Sequence, residues 1–250
     1  MTDLSAFSLE GRTIMVTGAN TGIGQGIAVA CARAGASVLG VGRSDMSETA
    51  SLVGDAFTPI DCDLADLDGA RDMLSDRYAA QAIDGLVNNA GIIRRADATD
   101  VTEDDWDAVM AVNLRTLFFL SQAYGKLVLS AGRRGRIVNI ASLLSFQGGI
   151  RVPAYTASKH AVAGVTQALS NEWAARGINV NAIAPGYIES NNTTALRADP
   201  DRSAAILARI PAGRWGQPSD IGDAAVFLLS RASDYMHGAV IPVDGGWLAR

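Results

Sequence analysis

Cysteine is scarce in this sequence, which holds only Cys31 and Cys62 among 250 residues. Neither belongs to a CxxC pair or to a Cys/His spacing that would bind zinc, so no metal site is predicted. Cys31 falls in an apparent helix and Cys62 at the end of an apparent strand. We therefore expect both thiols to be reduced and packed against the fold.

Excess positive charge is also missing. The chain has 21 Lys and Arg residues against 26 Asp and Glu residues, which gives a formal net charge of −5. Its sequence pI is near 5.0. A face basic enough to bind nucleic acid non-specifically is therefore not expected.

Long apolar runs and targeting signals are absent too. No apolar run reaches the roughly 18 residues that a membrane span requires. Residues 1–11 lack the basic region followed by an apolar stretch that marks a secretory signal. We expect a cytoplasmic protein with no membrane partner.

Apolar residues are abundant, at 48% of the chain, and can build a large core. Short β-branched runs alternate with segments of helical period. The β-branched runs lie at residues 13–17, 37–41, 56–60, 83–87, 135–140, 178–183 and 240–243, and the helical segments include 22–34, 103–130, 153–176 and 219–230. This alternation predicts βαβ units around a parallel sheet.

The chain shows no linker, repeat or low-complexity tract that would divide it, so residues 1–250 are interpreted as one domain. The segment at about 186–216 is the least regular, because Pro200, Pro211 and the pair Asn191-Asn192 interrupt any long helix. It follows a predicted strand, where substrate lids often occur. We predict a lid there, and a plain surface excursion is the alternative.

A glycine-rich loop follows the first predicted strand. Gly18, Gly22 and Gly24 form the pattern Gly-x-x-x-Gly-x-Gly, and a predicted helix begins directly after them. Glycine allows the tight turn and the close approach of a pyrophosphate, whose charge is met by the free N–H groups of the helix. A dinucleotide site is favoured over a glycine-rich turn without a ligand.

Polar and glycine residues also follow the later strands. They are Asp63-Leu64 after the third strand, residues 88–91 after the fourth, Ser142 after the fifth and Pro185-Gly186 after the sixth. In an open parallel sheet, ligands bind at the carboxyl ends of the strands. These residues are therefore expected to gather around one cleft.

Tyr155 and Lys159 are four residues apart near the start of a predicted helix, so they share one face. A phenol titrates near 10, and a neighbouring ammonium stabilises the phenolate and lowers that pKa. Such a pair is suited to proton exchange with an alcohol or carbonyl oxygen, to which Ser142 can donate a hydrogen bond. Asn113 lies between Val112 and Leu114, either as a satisfied amide or as support for a water that relays protons to Lys159.

The sequence resembles the classical short-chain dehydrogenases/reductases over essentially its whole length. The resemblance is carried by residues 17–24, 88–91 and 185–186, together with Asn113, Ser142, Tyr155 and Lys159. The resemblance implies a doubly wound Rossmann fold, an α/β class with a seven-stranded parallel sheet and helices on both faces. It implies a nicotinamide-dependent oxidoreductase and a homotetramer packed through its two longest helices and its carboxyl end.

The same resemblance implies the roles of individual residues. Tyr155 would be the acid/base, Lys159 would lower its pKa and hold the nicotinamide ribose, Ser142 would polarise the carbonyl, and Asn113 would support the relay. The expected cofactor contacts are Gly18, Asn20, Thr21, Gly22, Ile23, Gly24, Arg43, Asp63, Leu64, Asn89, Ala90, Gly91, Tyr155, Lys159, Pro185, Gly186, Ile188 and Ser190.

The end of the second strand bears on the choice between NAD and NADP. It reads Val41-Gly42-Arg43, without the carboxylate that holds the ribose 2′-OH of NAD, and Arg43 by itself favours the 2′-phosphate of NADP. Against this, the glycine loop adds no second cation, and Asp45 is near enough in sequence to compete for Arg43. We expect NAD or NADP and favour NAD on the subfamily resemblance that follows.

Residues 91–95, 145–153, 191–199, 210–216 and 243–250 resemble a narrower group within the family, the 2-dehydro-3-deoxy-D-gluconate 5-dehydrogenases and 2-deoxy-D-gluconate 3-dehydrogenases of uronate catabolism. The end of the second strand departs from that group. The resemblance implies a small anionic sugar acid as substrate. An anionic polyol requires a cation and several hydrogen-bond partners, and the candidates on nearby loops are Arg94, Gln147, Arg151 and Asn191.

Two other functions are compatible with the same motifs. One is a reductase of another carbonyl, such as a 3-oxoacyl thioester, which would need a basic surface near the entrance of the cleft for an acyl carrier. The other is a protein that senses a dinucleotide without turning it over, which the intact Ser142, Tyr155 and Lys159 disfavour.

Overall fold

The computed structural model describes residues 4–250, which surround one seven-stranded sheet. The strands lie in the order β3-β2-β1-β4-β5-β6-β7, and every neighbouring pair is parallel. They are β1 (Thr13–Thr17), β2 (Ser37–Gly42), β3 (Phe57–Asp61), β4 (Gly85–Asn88), β5 (Gly135–Ile140), β6 (Ile178–Pro185) and β7 (Val240–Val243). The predicted doubly wound fold is confirmed.

Nine α-helices lie within the described residues. They are α1 (Gly22–Arg33), α2 (Ser47–Val53), α3 (Leu67–Ala80), α4 (Glu103–Met110), α5 (Leu117–Ser130), α6 (Pro153–Trp173), α7 (Thr194–Ala198), α8 (Pro200–Leu207) and α9 (Pro218–Leu229). No helix in residues 4–250 is both long and apolar enough to cross a membrane.

Side chains that alternate along the central strand enter two separate cores. Ile14 and Val16 of β1 pack with α1 and α9 on one face of the sheet. Met15 packs with α3, α5 and α6 on the other face. Successive side chains of a strand point to opposite faces, so a strand covered by helices on both sides is apolar throughout. This explains why all five residues of β1 are buried.

The helix predicted over residues 103–130 is interrupted. Thr102 caps α4 by accepting a hydrogen bond from the backbone N–H of Asp105, and α5 resumes at Leu117. Between them, Ala111–Thr116 forms a π-helical turn that contains Asn113. Such turns insert one extra residue into a helix and often occur at functional sites, and sequence periodicity does not reveal them.

The segment 186–216 is more helical than its sequence suggested. Pro200 was interpreted as a helix breaker, but it occupies the first turn of α8, where its missing N–H is not needed. Asp199 caps the same helix by accepting a hydrogen bond from the N–H of Arg202. The segment packs on its own apolar cluster, which includes Ile206, Trp215 and Trp247.

Helices α1 and α9 approach closely through glycine. A Cβ atom on Gly222 would lie 2.7 Å from the carbonyl oxygen of Gly26 and 2.8 Å from the Cβ atom of Ala30. We expect Gly222→Ala to lower the free energy of unfolding by about 1–3 kcal/mol, because the added methyl group overpacks this contact. Denaturant unfolding measures the change.

The matched control is Asp223→Ala on the exposed face of the same helix. A surface change of this kind should stay within about 0.5 kcal/mol of the parent. Equal stability of the Gly222→Ala variant and the parent would contradict the close approach of α1 and α9.

Candidate active site

A cleft of about 510 Å³ opens at the carboxyl ends of the strands. It brings together most of the residues that the sequence analysis assigned to a cofactor. Those that line it are Gly18, Asn20, Thr21, Gly22, Ile23, Gly24, Arg43, Asp63, Leu64, Asn89, Ala90, Gly91, Tyr155, Lys159 and Ser190. Sequence reasoning missed several neighbours that also line it, among them Gly42, Ser44, Ala65, Ala108 and Val112.

The glycine loop has the geometry of a phosphate cradle. Gly18 and Gly22 have positive φ angles of 67° and 57°. A Cβ atom on Gly24 would lie 2.0 Å from the carbonyl oxygen of Gly18, so only glycine fits there. Thr21, the N-cap residue of α1, makes no side-chain capping hydrogen bond. The first N–H groups of α1 are therefore available to an anionic group.

Two neighbouring side chains fix the position of this loop. The amide of Asn89 donates to the carbonyl oxygens of Thr17 and Gly18 at 2.9 and 3.2 Å. Thr49, which is fully buried on α2, donates to the carbonyl oxygen of Ala19 at 2.8 Å. Thr49 was missed because nothing in its local sequence marks it, and only the packing of α2 brings it to the loop.

Arg43 stands at the end of β2 with its side chain 68% exposed. Its Nη1 atom lies 3.4 Å from Oδ2 of Asp63, which follows β3. The competitor expected from the sequence, Asp45, instead accepts hydrogen bonds from the N–H and hydroxyl of Ser47, the first residue of α2. The interpretation that Asp45 competes for Arg43 is therefore wrong.

Tyr155 and Lys159 lie on one face of α6 at the inner end of the cleft. The ammonium nitrogen of Lys159 is 5.5 Å from the centre of the Tyr155 ring. It donates a hydrogen bond of 2.6 Å to the carbonyl oxygen of Ile140, at the end of β5. This bond joins α6 to the carboxyl edge of the sheet.

Burial opposes charge on both groups. Burial raises the pKa of Tyr155 above its usual value, while a hydrogen bond with Ser142 and the positive charge of Arg95 act in the other direction. Burial lowers the pKa of Lys159 to about 8. The pKa of Tyr155 is therefore raised, not lowered as the sequence analysis expected, because burial is the larger effect.

Ser142 is held by the turn that follows β5. Its hydroxyl accepts a hydrogen bond of 3.1 Å from the N–H of Leu144. Ser145 in the same turn donates to the carbonyl oxygen of Lys159 at 2.6 Å. The turn is thereby fastened to α6, and the hydroxyl of Ser142 lies within hydrogen-bond reach of Tyr155.

Asn113 is buried, and its side chain closes a ring with the segment after β4. It accepts from the N–H of Ile92 at 2.8 Å and donates to the carbonyl oxygen of Ile92 at 2.9 Å. It also lies 3.3 Å from the hydroxyl of Ser158 on α6. The side chain therefore positions the loop after β4 against α6, which the sequence reasoning did not anticipate.

Residues after β6 form the rim of the cleft. Pro185 ends β6, and the N–H of Gly186 donates to the carbonyl oxygen of Val243 at 3.0 Å. Ile188 is buried in the core, and its backbone pairs with Gly216. Of the four expected cofactor contacts in this region, only Ser190 is among the residues that line the cleft.

The four expected substrate residues divide into two pairs. Arg94 and Asn191 line the cleft, although Arg94 is 3.1 Å from Asp105 in an ion pair. Gln147 and Arg151 are not among the residues that line the cleft. Arg151 forms an ion pair with Asp97, with Nε 3.0 Å from Oδ1.

Arg95 lies within residues 91–95, one of the segments that carry the narrower resemblance, and the sequence analysis gave it no role of its own. Its charge acts on Tyr155, and it donates to the carbonyl oxygen of Asn192 at 3.1 Å, in the segment predicted as a lid. Among Arg94, Arg95 and Arg151, Arg95 is therefore the arginine whose charge lowers the pKa of Tyr155.

Arg151 has an unusual backbone. With a φ angle of 64°, it is the only non-glycine residue of positive φ among residues 4–250. A bulky residue in this conformation is strained, and such strain tends to cluster at functional sites. The loop before α6 is thus held in a specific shape by its neighbours. One of them is Ala96, whose N–H donates to the carbonyl oxygen of Arg151.

Comparison with known proteins agrees with this geometry. A family model described as enoyl-(acyl carrier protein) reductase matches residues 18–248. The chain is 56% identical to the 2-dehydro-3-deoxy-D-gluconate 5-dehydrogenase of Escherichia coli, covering 99% of each chain. It is 57% identical to the Bacillus subtilis enzyme of the same name, covering 98% of each.

A solved structure extends the likeness to three dimensions. A putative 2-deoxy-D-gluconate 3-dehydrogenase from Agrobacterium tumefaciens, described with bound NADP, has a TM-score of 0.94 and 60% identity over 98% of this chain and 99% of that one. The likeness to these dehydrogenases therefore extends over the whole chain in both sequence and fold. The chain belongs to the short-chain dehydrogenase/reductase family.

Proposed function

We propose that this enzyme transfers a hydride between NADP and a hydroxyl or keto group of a deoxy sugar acid of the 2-dehydro-3-deoxy-D-gluconate type. The observation that carries the proposal is that Tyr155 and Lys159 line the same cleft as the glycine loop, with Ser142 within hydrogen-bond reach of Tyr155. The substrate class is supported by the names of full-length relatives at 56% and 57% identity.

The protein supplies proton transfer and orientation. A bound nicotinamide supplies or accepts the hydride at its C4 atom. In the direction of reduction, the phenol of Tyr155 donates its proton to the carbonyl oxygen as that oxygen becomes an alkoxide, and in oxidation the phenolate takes the hydroxyl proton. Ser142, which is within hydrogen-bond reach of Tyr155, would donate its hydroxyl hydrogen to the same substrate oxygen.

Lys159 has two roles in this proposal. Its ammonium lies 5.5 Å from the centre of the Tyr155 ring, and we assign to it the stabilisation of the phenolate during proton transfer, since a nearby cation favours the charged form of a phenol. Its side chain also faces the cleft, where it would hold the nicotinamide ribose. The bond to the carbonyl oxygen of Ile140 keeps the ammonium aligned with the end of β5.

NADP is favoured over NAD at the end of β2. Arg43 is exposed, and no carboxylate occupies the position at which NAD-dependent relatives hold the ribose. Guanidinium pairs well with phosphate, and Asp63 at 3.4 Å is a distant partner for it. The sequence-based preference for NAD finds no support in the NADP-bound relative.

The substrate carboxylate is assigned to Arg95 rather than to Arg94 or Arg151. Arg94 and Arg151 are each paired with an aspartate. Arg95 makes its hydrogen bond to the carbonyl of Asn192, a neutral partner. It also acts electrostatically on Tyr155, and its partner Asn192 lines the cleft.

The segment 186–216 is proposed as the lid over this substrate. Asn191 reaches the hydroxyl of Thr21 in the glycine loop at 3.4 Å, and Arg95 holds Asn192. These contacts link the segment to both the cofactor loop and the proposed carboxylate site. The homotetramer and the cytoplasmic location stay predictions.

Replacement of Tyr155 by Phe removes the proton donor and keeps the ring. We expect the rate of NADPH oxidation with a keto-deoxy sugar acid to fall by about 10²–10⁴-fold, the usual contribution of an acid/base group. NADPH binding, followed by fluorescence, should be retained. Turnover within tenfold of the parent would contradict the role of Tyr155.

Replacement of Arg43 by Ala tests the cofactor assignment. We expect KM for NADPH to rise by about 10–100-fold, which corresponds to loss of a charged hydrogen bond of about 1.5–3 kcal/mol. KM for NADH, measured on the same variant, serves as the internal control and should change little. A parent enzyme that prefers NADH would refute the choice of NADP.

Replacement of Arg95 by Leu tests the carboxylate site, and Arg94→Leu is the matched neighbour. We expect Arg95→Leu to raise KM for the keto-deoxy sugar acid by about 10–100-fold, again the value of one charged hydrogen bond. KM for a neutral ketone should be much less affected. An Arg94→Leu variant that shows the larger selective loss would move the site to Arg94.

A further inference from the structure

A second cavity, of about 300 Å³, lies at the opposite end of the sheet from the catalytic cleft. It is formed where Arg12 precedes β1, Asp84 precedes β4 and Gly135-Arg136 begin β5. Five arginines line it, against two aspartates: Arg12, Arg133, Arg134, Arg136 and Arg231, with Asp84 and Asp234. We call this the arginine cavity.

The arginine cavity carries a formal excess of three positive charges, in a chain whose net charge is −5. Its two aspartates are paired with Arg133 and Arg136. Within residues 4–250, the other three arginines form no ion pair with a carboxylate, although Arg231 lies 3.4 Å from the hydroxyl of Ser5. The aspartates therefore leave most of the cationic charge uncompensated.

Helix capping accounts for only part of this cluster. Arg12 donates to the carbonyl oxygen of Leu229 at 2.8 Å, and Arg136 donates to that of Leu228 at 3.4 Å. Both oxygens belong to the carboxyl end of α9, where cations are stabilising. Arg134 and Arg231 make no such contact with α9, so capping does not explain why they line the same cavity.

The arginines also repel one another. Arg136 is nine-tenths buried, and its pKa is lowered chiefly by that burial. The hydrogen bond and charge of Asp234 oppose the shift, and the charges of Arg12 and Arg134 add to it. Like charges gathered in one concave site raise the free energy of the folded protein, and a bound anion would relieve the repulsion.

We propose that the arginine cavity is a binding site for a small phosphorylated anion that carries at least two negative charges. Guanidinium groups match the oxygens of a phosphoryl group through two parallel hydrogen bonds. An anion of this charge neutralises most of the excess, which a single carboxylate does not. The cavity volume of about 300 Å³ is at the lower end of the range for small-molecule sites.

The test uses the full-length protein saturated with NADPH, so that the cofactor cleft is filled. Pyrophosphate, inorganic phosphate and citrate are titrated by calorimetry at constant ionic strength set with potassium chloride. The test variant is Arg134→Gln with Arg231→Gln, because both side chains are exposed and neither caps α9. The control variant is Arg33→Gln, an exposed arginine outside the cavity.

We expect pyrophosphate to bind the parent and the control variant with equal affinity, and to bind the double variant at least tenfold more weakly. Binding should also raise the Tm of the parent but not of the double variant. Absence of binding to the parent, or equal binding to the double variant, would overturn the proposal. Citrate that binds as tightly as pyrophosphate would overturn the assignment to phosphorylated ligands.

Discussion

The hydrogen bond from the Lys159 ammonium to the carbonyl oxygen of Ile140, at 2.6 Å, ties the catalytic helix to the sheet. It crosses from α6 to the end of β5, and Ser145 returns the connection by donating to the carbonyl oxygen of Lys159. Tyr155, Lys159 and the turn that carries Ser142 thus form one unit. Without this bond, a buried ammonium would lack a partner, which is costly in a protein interior.

A buried polar network supports that unit from below. The amide of Asn88 donates to Ser121 and Asn139, and Asn139 donates to Thr166, each at 2.9 Å. These bonds run from β4 and β5 to α5 and α6 through a region that is otherwise apolar. A fully satisfied network of this kind rigidifies a core and fixes one arrangement of helices on strands, and here it fixes the register of α6, which carries Tyr155.

The two ends of the sheet differ in how they handle charge. At the carboxyl ends, glycines leave backbone N–H groups open to an anion, and two arginines, Arg43 and Arg94, line the cleft. At the amino ends, five arginine side chains surround a cavity of their own. The difference follows from a parallel sheet with helical crossovers, because helix amino ends gather at one edge and helix carboxyl ends at the other.

The sequence by itself determined the parallel α/β class, the glycine loop and the Tyr155/Lys159 pair. The class follows from the alternation of strand and helix patterns, and the loop and the pair follow from residue spacing within one turn or one helix. It did not reveal the π-helical turn around Asn113, the role of Pro200 in starting α8, or the contact of Thr49 with the glycine loop. It also offered Asp45 as a competitor for Arg43 and left Arg95 without a role. Only the tertiary structure decided these points, because they depend on which side chains distant in sequence meet across neighbouring strands and loops.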